Sequence, residues 1–331
     1  MSTSAPPLTI AVVGATGTVG SGLLPRLEAD ERVGRVLAVG RRSIDPAERG
    51  WSKARFRTAD VRDPAALRQA VDGAQVVVHL AFVTTGATSR RALHAINVEG
   101  TRNAFQAAAA VGAERFVFAS SVAAYGFHPD NPVPLTETWP TRPSSAFFYA
   151  QEKAELDALL REQAETHDLD LYVVRPSFVL GRNPVGGKVR GRLGEALDRG
   201  VRSIGRSPLP VPVLAPDFPF QVVHQDDLGA ALAACALGDG PPGAYNVAAD
   251  DVLTGVDVAR ELGFTPLPVP AGVTQRVARI TSQLPLPAPA EWVEAAAHPA
   301  IMDTSKAKAQ LGWSPVHSAR ETLRETLGIA A

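Results

Sequence analysis

An α/β, doubly wound parallel sheet carrying a small C-terminal substrate-binding lobe is the fold class this sequence predicts, on three observations. Short apolar runs alternate with amphipathic helical patterns through the first half of the chain, the order expected of βαβ units. The runs VVVHLA and RFVFAS are continuously apolar, as central strands covered by helices on both faces must be, whereas a one-sided sheet would alternate. A glycine-rich turn joins the first apolar run to the first helix.

Taken in order, strands are expected at 8–13, 35–39, 54–59, 75–80, 115–120 and 170–175, with helices at about 19–29, 64–71, 89–111 and 149–166. The first unit, LTIAVVGATGTVGSGLLPRL, places Gly14, Gly17 and Gly20 between strand and helix, with Thr16, Thr18 and Val19 among them. Gly14 permits the tight turn, Gly17 lets the backbone approach a pyrophosphate, and Gly20 lets the helix pack closely on the sheet. The helix amino terminus attracts the anion. This is the dinucleotide-binding turn of a Rossmann fold. About 20 residues on, an acid would hold the ribose 2′-hydroxyl of NAD, but VLAVGRRSID offers Gly40, Arg41 and Arg42. Arginine's planar fork suits a 2′-phosphate, so NADP is the preferred cofactor and NAD the alternative.

The chemistry is expected at Ser121 in FVFASSVAAYG and at Tyr149 and Lys153 in AFFYAQEKAE. Four residues are one helical turn, so the phenol and the ammonium leave the same helix face. A neighbouring cation favours the phenolate and lowers the tyrosine pKa, making the hydroxyl a proton donor or acceptor near neutrality. The spacing alone is common in helices and gains its weight from the glycine turn upstream.

Together, the G-x-x-G-x-x-G turn, Ser121 ahead of Tyr125-Gly126, and Tyr149 with Lys153 resemble the short-chain dehydrogenase/reductase superfamily. Within it they resemble the extended branch of nucleotide-sugar epimerases, dehydratases and related reductases. The resemblance covers most of the chain. Asp60 in TADVRD looks like the branch's adenine contact, HLA at 79–81 its fourth-strand end, and NVEGT at 97–101 its central helix motif. RPSFVLG at 175–181, VVHQDDLGAA at 222–231, AYNVA at 244–248 and DTSKAKAQLGWSP at 303–315 follow in the branch's order. The resemblance implies that Tyr149 exchanges a proton with the substrate oxygen, that Ser121 hydrogen-bonds the same oxygen, and that Lys153 tunes Tyr149 and holds the nicotinamide ribose. It adds Asp60, Val61, Leu80, Ala81, Asn97 and Pro176 to the cofactor contacts. Asn97 is either the holder of a water near Lys153 or a helix-capping or surface residue. Val83, Thr84, Ser121, Phe148 and Phe178 are the expected substrate contacts.

Two departures bear on the substrate. Nucleotide-sugar members carry an Arg four residues before the His of V-H-x-x-D, where this chain has Phe220. They commonly carry an Asn after the sixth strand, where it has Ser177 and Phe178. Lys188, Arg190 and Arg192 are an alternative anion site or simply a solvated basic loop. The leading expectation is an NAD(P)-dependent oxidoreductase moving hydride between nicotinamide C4 and a carbonyl or secondary alcohol of a small molecule. The alternatives are a nucleotide-sugar epimerase or dehydratase that recycles its cofactor internally, and a non-catalytic NAD(P) sensor.

Composition bounds the rest. The chain has 331 residues, is 45% hydrophobic and has a formal charge of −1, with no continuous basic face for nucleic acid. One domain plus a lobe fits: a Rossmann domain over 1–176, with 221–248 returning to it, and a substrate-binding lobe over 177–220 and 249–331. The proline- and glycine-rich stretches at 181–219 and 263–289 read as loops of that lobe. The single Cys235 lies in an apolar run and reads as a core residue. Neither a membrane span nor a secretory leader is expected, and the cytoplasm is the expected compartment. No histidine spacing suggests a metal. The resemblance implies a homodimer through the helices near 89–111 and 149–166.

Overall fold

The apolar runs of the first half become strands. The computed structural model describes residues 6–84, 89–144, 147–182, 211–281, 295 and 298–329. The strands are β1 (Leu8–Val13), β2 (Val33–Gly40), β3 (Ala54–Thr58), β4 (Val76–His79), β5 (Arg115–Ala119), β6 (Asp170–Pro176), β7 (Phe178–Leu180), β8 (Pro212–Pro216), β9 (Val222–His224), β10 (Gly243–Val247) and β11 (Thr265–Val269). Seven of them form one sheet in the order β10-β6-β5-β4-β1-β2-β3. Every pairing in that sheet is parallel. The chain runs outward from β1 to β3, then restarts on the other side at β4, so a crevice opens between the carboxyl ends of β1 and β4. The seventh strand, β10, lies beside β6 and pairs Asn246 with Arg175; its five residues carry no run long enough to announce a strand.

Helices α1 (Thr18–Ala29), α2 (Pro64–Val71), α3 (Arg90–His94), α4 (Gly100–Ala110), α5 (Phe148–Ala164) and α6 (Gln225–Leu237) cover the two faces. Ile10 and Val12 of β1 face the layer that contains α1 and α6, while Ala11 and Val13 face the layer of α2, α4 and α5. Both sets are buried, which is why these strands read as unbroken apolar runs. α1 and α6 cross glycine to glycine: a Cβ on Gly22 would collide with the Gln225 carbonyl, and one on Gly229 with that of Gly22. Cys235 is buried on α6.

One expected helix differs. The run 89–111 is α3 and α4 separated by a π-helical turn, Ala95–Glu99, that carries Asn97 inward. Such turns break the helical period and recur at functional sites.

After β6 the chain leaves the main sheet. β7 pairs with β9, and β8 pairs with β11, each pair parallel. The remaining helices are α7 (Gly255–Glu261), α8 (Ala271–Thr281), α9 (Ser305–Leu311) and α10 (Ala319–Leu327). Among the described residues no helix is long and apolar enough to cross a membrane.

Candidate active site

A cavity of about 480 Å³ opens at the carboxyl ends of the central strands, where the crevice between β1 and β4 lies. Gly14, Thr16 and Gly17 form its floor, Arg41, Arg42, Asp60 and Val61 one wall, and Leu80, Ala81, Phe82 and Val83 the other. Gly14 adopts φ +91°, and a Cβ there would lie 2.6 Å from the Ala81 nitrogen, so only glycine allows the two loops to meet. α1 then starts at Gly17 with no side-chain cap and no acidic residue in its first turn. Its leading N–H groups and the positive end of its dipole remain available to an anion. Backbone donors at one end, two guanidinium groups along the wall and an open volume fit a dinucleotide phosphate.

The other expected cofactor residues do not line this cavity. Thr18 and Val19 lie in the first turn of α1, where the Thr18 carbonyl accepts the Ser21 hydroxyl and Val19 packs on the core. Gly20 lets the helix approach the sheet, since a Cβ there would collide with the Ala15 carbonyl. Pro176 is the buried last residue of β6. Asp60, on the cavity wall, accepts from Arg62 at 2.7 Å, and that partner holds its carboxyl down at about 2.

Tyr149 sits on the first turn of α5, its ring edge-on to Phe82 with centroids 5.5 Å apart and tilted against Phe147. Desolvation pushes its phenol up to about 12, opposed in part by a hydrogen bond shared with Ser121. Ser121 follows β5 and also accepts from the Ala123 amide at 3.2 Å. The neighbouring Ser120 hydroxyl is buried with no partner among the described residues. Ser121, and not Ser120, is therefore the serine that meets Tyr149.

Lys153, one turn on, is buried and donates from Nζ to the Ala119 carbonyl at 2.7 Å. Its ammonium lies 3.6 Å from the centroid of Phe82, 4.9 Å from that of Phe118 and 5.9 Å from that of Tyr149. Burial lowers its pKa to about 7, although Asp157 and Glu152 act to raise it. The expected lowering of the Tyr149 pKa is thus corrected. Lys153 favours the phenolate only while it is charged, and the desolvation that raises the phenol also works against the charged amine.

Asn97 does not cap a helix or face solvent. Its amide brackets Val83, accepting from the Val83 nitrogen at 2.8 Å and donating to the Val83 carbonyl at 3.0 Å, and it also donates to Glu152 Oε2 at 2.7 Å. Val83 lines the cavity, while Thr84 follows it on the same loop. Phe148 begins α5 with the Arg90 guanidinium 5.3 Å above its ring. Phe178 packs edge-on against Phe220 at 6.2 Å, within an apolar cluster of β7, β9 and α10. Lys188, Arg190 and Arg192 lie outside the described residues.

Behind the pair is a polar network that sequence reasoning missed. Arg175 donates from Nε to Asp157 Oδ2 at 2.9 Å, with Nη2 at 2.7 Å from the same oxygen, and from Nη1 to the Tyr125 hydroxyl at 2.8 Å. Tyr125 donates onward to Asn246 Oδ1 at 2.8 Å, joining β6, β10 and α5. The available signal was Asp157, a carboxylate one turn beyond Lys153 on the same helix face.

A glycine-floored cavity at the switch point of a parallel sheet, with Ser121, Tyr149 and Lys153 beside it, defines a protein of the dinucleotide-binding Rossmann class. Residues 10–248 match the model of the NAD dependent epimerase/dehydratase family, and the chain belongs to that family. It is 28% identical over 327 residues to the uncharacterized protein y4nG of Sinorhizobium fredii (strain NBRC 101917 / NGR234), covering 96% of this chain and 77% of that one. It is 32% identical over 176 residues to N-acetyl-alpha-D-glucosaminyl-diphospho-ditrans,octacis-undecaprenol 4-epimerase of Escherichia coli O157:H7, covering 52% of this chain and 49% of that one. Two solved structures share its fold. The UDP-glucose 4-epimerase of Thermotoga maritima with UDP-glucose matches at TM-score 0.71 and 22% identity, over 97% of this chain and 98% of that one. The Bordetella bronchiseptica enzyme WbmG in complex with NAD matches at TM-score 0.69 and 19% identity, over 99% and 95%.

Proposed function

We propose that the protein is an NAD(P)-dependent oxidoreductase, with NADP preferred, that exchanges hydride with a carbonyl or secondary alcohol of a fairly apolar small molecule. The observation that carries this reading is Tyr149 hydrogen-bonded to Ser121, one turn from a buried Lys153 and beside a cavity walled by Arg41 and Arg42. When bound, the nicotinamide supplies or accepts the hydride. Tyr149 moves the matching proton at its phenol oxygen, Ser121 orients the substrate oxygen, and Lys153 in its charged state favours the phenolate. The rings of Phe82, Phe147 and Phe148 favour an apolar group near Tyr149, and Phe220 offers no charge to a diphosphate.

A second reading is a nucleotide-sugar epimerase or dehydratase that returns the hydride within one turnover. It is favoured by the relatedness to the E. coli 4-epimerase and by the fold shared with the UDP-glucose 4-epimerase. We propose that the segments 177–220 and 249–331 serve mainly to bind the substrate, and that the protein is a cytoplasmic homodimer formed through the helices near 89–111 and 149–166.

Denaturing the purified protein, identifying released nucleotide by mass spectrometry and titrating the emptied protein with NADPH and NADH tests these readings. Exchangeable cofactor with a preference for NADPH supports the oxidoreductase. Stoichiometric, slowly released NAD supports the epimerase or dehydratase and overturns the role given to Arg41 and Arg42. Binding of neither nucleotide overturns both.

A further inference from the structure

Phe82 is the large side chain shared by the dinucleotide cavity and the catalytic pair. It lines the cavity wall, meets Tyr149 edge-on, and presents its face to the Lys153 ammonium at 3.6 Å. That distance is well inside the range of about 6 Å over which a ring face attracts a cation, and the attraction grows where water is excluded. Phe118 offers a second ring at 4.9 Å.

The placement of Phe82 is enforced by its neighbour. Both amide hydrogens of Asn97 are spent, one on the Val83 carbonyl and one on Glu152 Oε2, while its oxygen takes the Val83 N–H. Turning the amide over would set its oxygen against two acceptors, so Glu152 fixes the orientation of Asn97 and Asn97 fixes the backbone next to Phe82. The clamp ties the loop after β4 to the helix that carries Lys153.

We propose that Phe82 is a positioning residue for Lys153: its ring, seated by the Glu152–Asn97–Val83 clamp, covers the ammonium and keeps it charged beside Tyr149 at the edge of the cofactor cavity. Burial alone favours a neutral amine, so a group that interacts only with the cation works in the opposite direction. The charged or titratable groups around Lys153 are Asp157 and Glu152 on its own helix, Tyr149 one turn back and His79 at the end of β4. Asp157 is already bound by Arg175, and the His79 imidazole is kept neutral by burial.

This inference rests on the oxidoreductase reading for its consequence, but its test needs neither substrate nor cofactor. The chain has only Lys53, Lys153, Lys188, Lys306 and Lys308, so lysine labelled with carbon-13 at Cε gives few resonances, and Lys153→Arg identifies the one that matters. Phe82→Leu is expected to lower its titration midpoint by about 0.5–1 pH unit, and Phe82→Tyr, which keeps a ring face, to leave it near the wild-type value. If leucine prevents folding, pentafluorophenylalanine at position 82 keeps the shape, reverses the face potential and carries the same expectation. An unchanged midpoint in the leucine or fluorinated protein, or an equal fall in the tyrosine variant, overturns the proposal. A wild-type protein that binds neither NADPH nor NADH overturns the oxidoreductase reading and leaves the midpoint comparison to be judged by itself.

Discussion

Two ion pairs of the same length stand at opposite ends of the site. Asp60 and Arg62 meet at 2.7 Å beside the cofactor cavity, with side chains 28% and 51% exposed. Asp157 and Arg175 meet at 2.7 Å behind Lys153, with side chains 0% and 1% exposed. At the first pair water screens both partners, and such contacts contribute about 0–1 kcal/mol. At the second, removing either partner strands a charge away from solvent. Contact distance therefore says little about energetic role, and burial decides it. The cavity end is built from backbone, glycine and solvated charge, which suits a ligand that binds and leaves. The end around Tyr149 and Lys153 is built from desolvated groups that hold each other in place.

The largest expected effect breaks the buried pair. Asp157→Ala is expected to destabilise the protein by about 3–5 kcal/mol in denaturant unfolding, because the Arg175 charge loses its carboxylate. An effect below about 1 kcal/mol would erase the contrast between the two ends. Lys153→Met comes next, and its effect depends on pH. A lysine whose folded pKa falls from 10.5 to about 7 adds no burial cost above 10.5, and the cost grows as pH falls towards 7. Lys153→Met is therefore expected to exceed the wild type in stability by an amount on the order of a few kcal/mol at pH 6, with the advantage shrinking through pH 7 to 10.5. A pH-independent difference would show that Lys153 is not desolvated.

At the cavity end the effects move from stability to binding. Replacing Arg41 and Arg42 together by Ala is expected to reduce the preference for NADPH over NADH by about tenfold or more in a fluorescence titration, with little change in unfolding. An equal loss for both nucleotides would assign the two arginines to the shared phosphates instead. Smallest of all, Asp60→Ala is expected to change unfolding free energy by less than about 1 kcal/mol.

The same contrast separates what was legible in the sequence from what was not. The cavity end could be read directly, because Gly14 and Gly20 stand where a Cβ would collide with backbone, Gly17 falls between them at the same spacing, and the strands β1, β2 and β4 are apolar on both faces. Tyr149, Lys153 and Ser121 were legible as a pattern, and the structure brings them together. Their electrostatics were not, because spacing shows that two groups are neighbours and not how far both are removed from water. Arg175, Tyr125 and Asn246 come from three separate segments, so only the folded sheet shows them as partners of Asp157. Phe82 sits one residue past the HLA run and reads as one more apolar residue there. Its ring lies 3.6 Å from the Lys153 ammonium, and the Asn97 that bonds the next residue, Val83, sits on a π-helical turn that no periodicity announced.

The reading as an enzyme depends most directly on Tyr149. The decisive measurement is NADPH oxidation by wild type and Tyr149→Phe across a panel of apolar ketones and aldehydes, with NADPH affinity titrated in both proteins. Tyr149→Phe is expected to lower kcat by about 100-fold or more for any carbonyl the wild type reduces, while NADPH binding stays within about twofold. Equal turnover by the two proteins would contradict the role of Tyr149 as the proton donor and acceptor of this site.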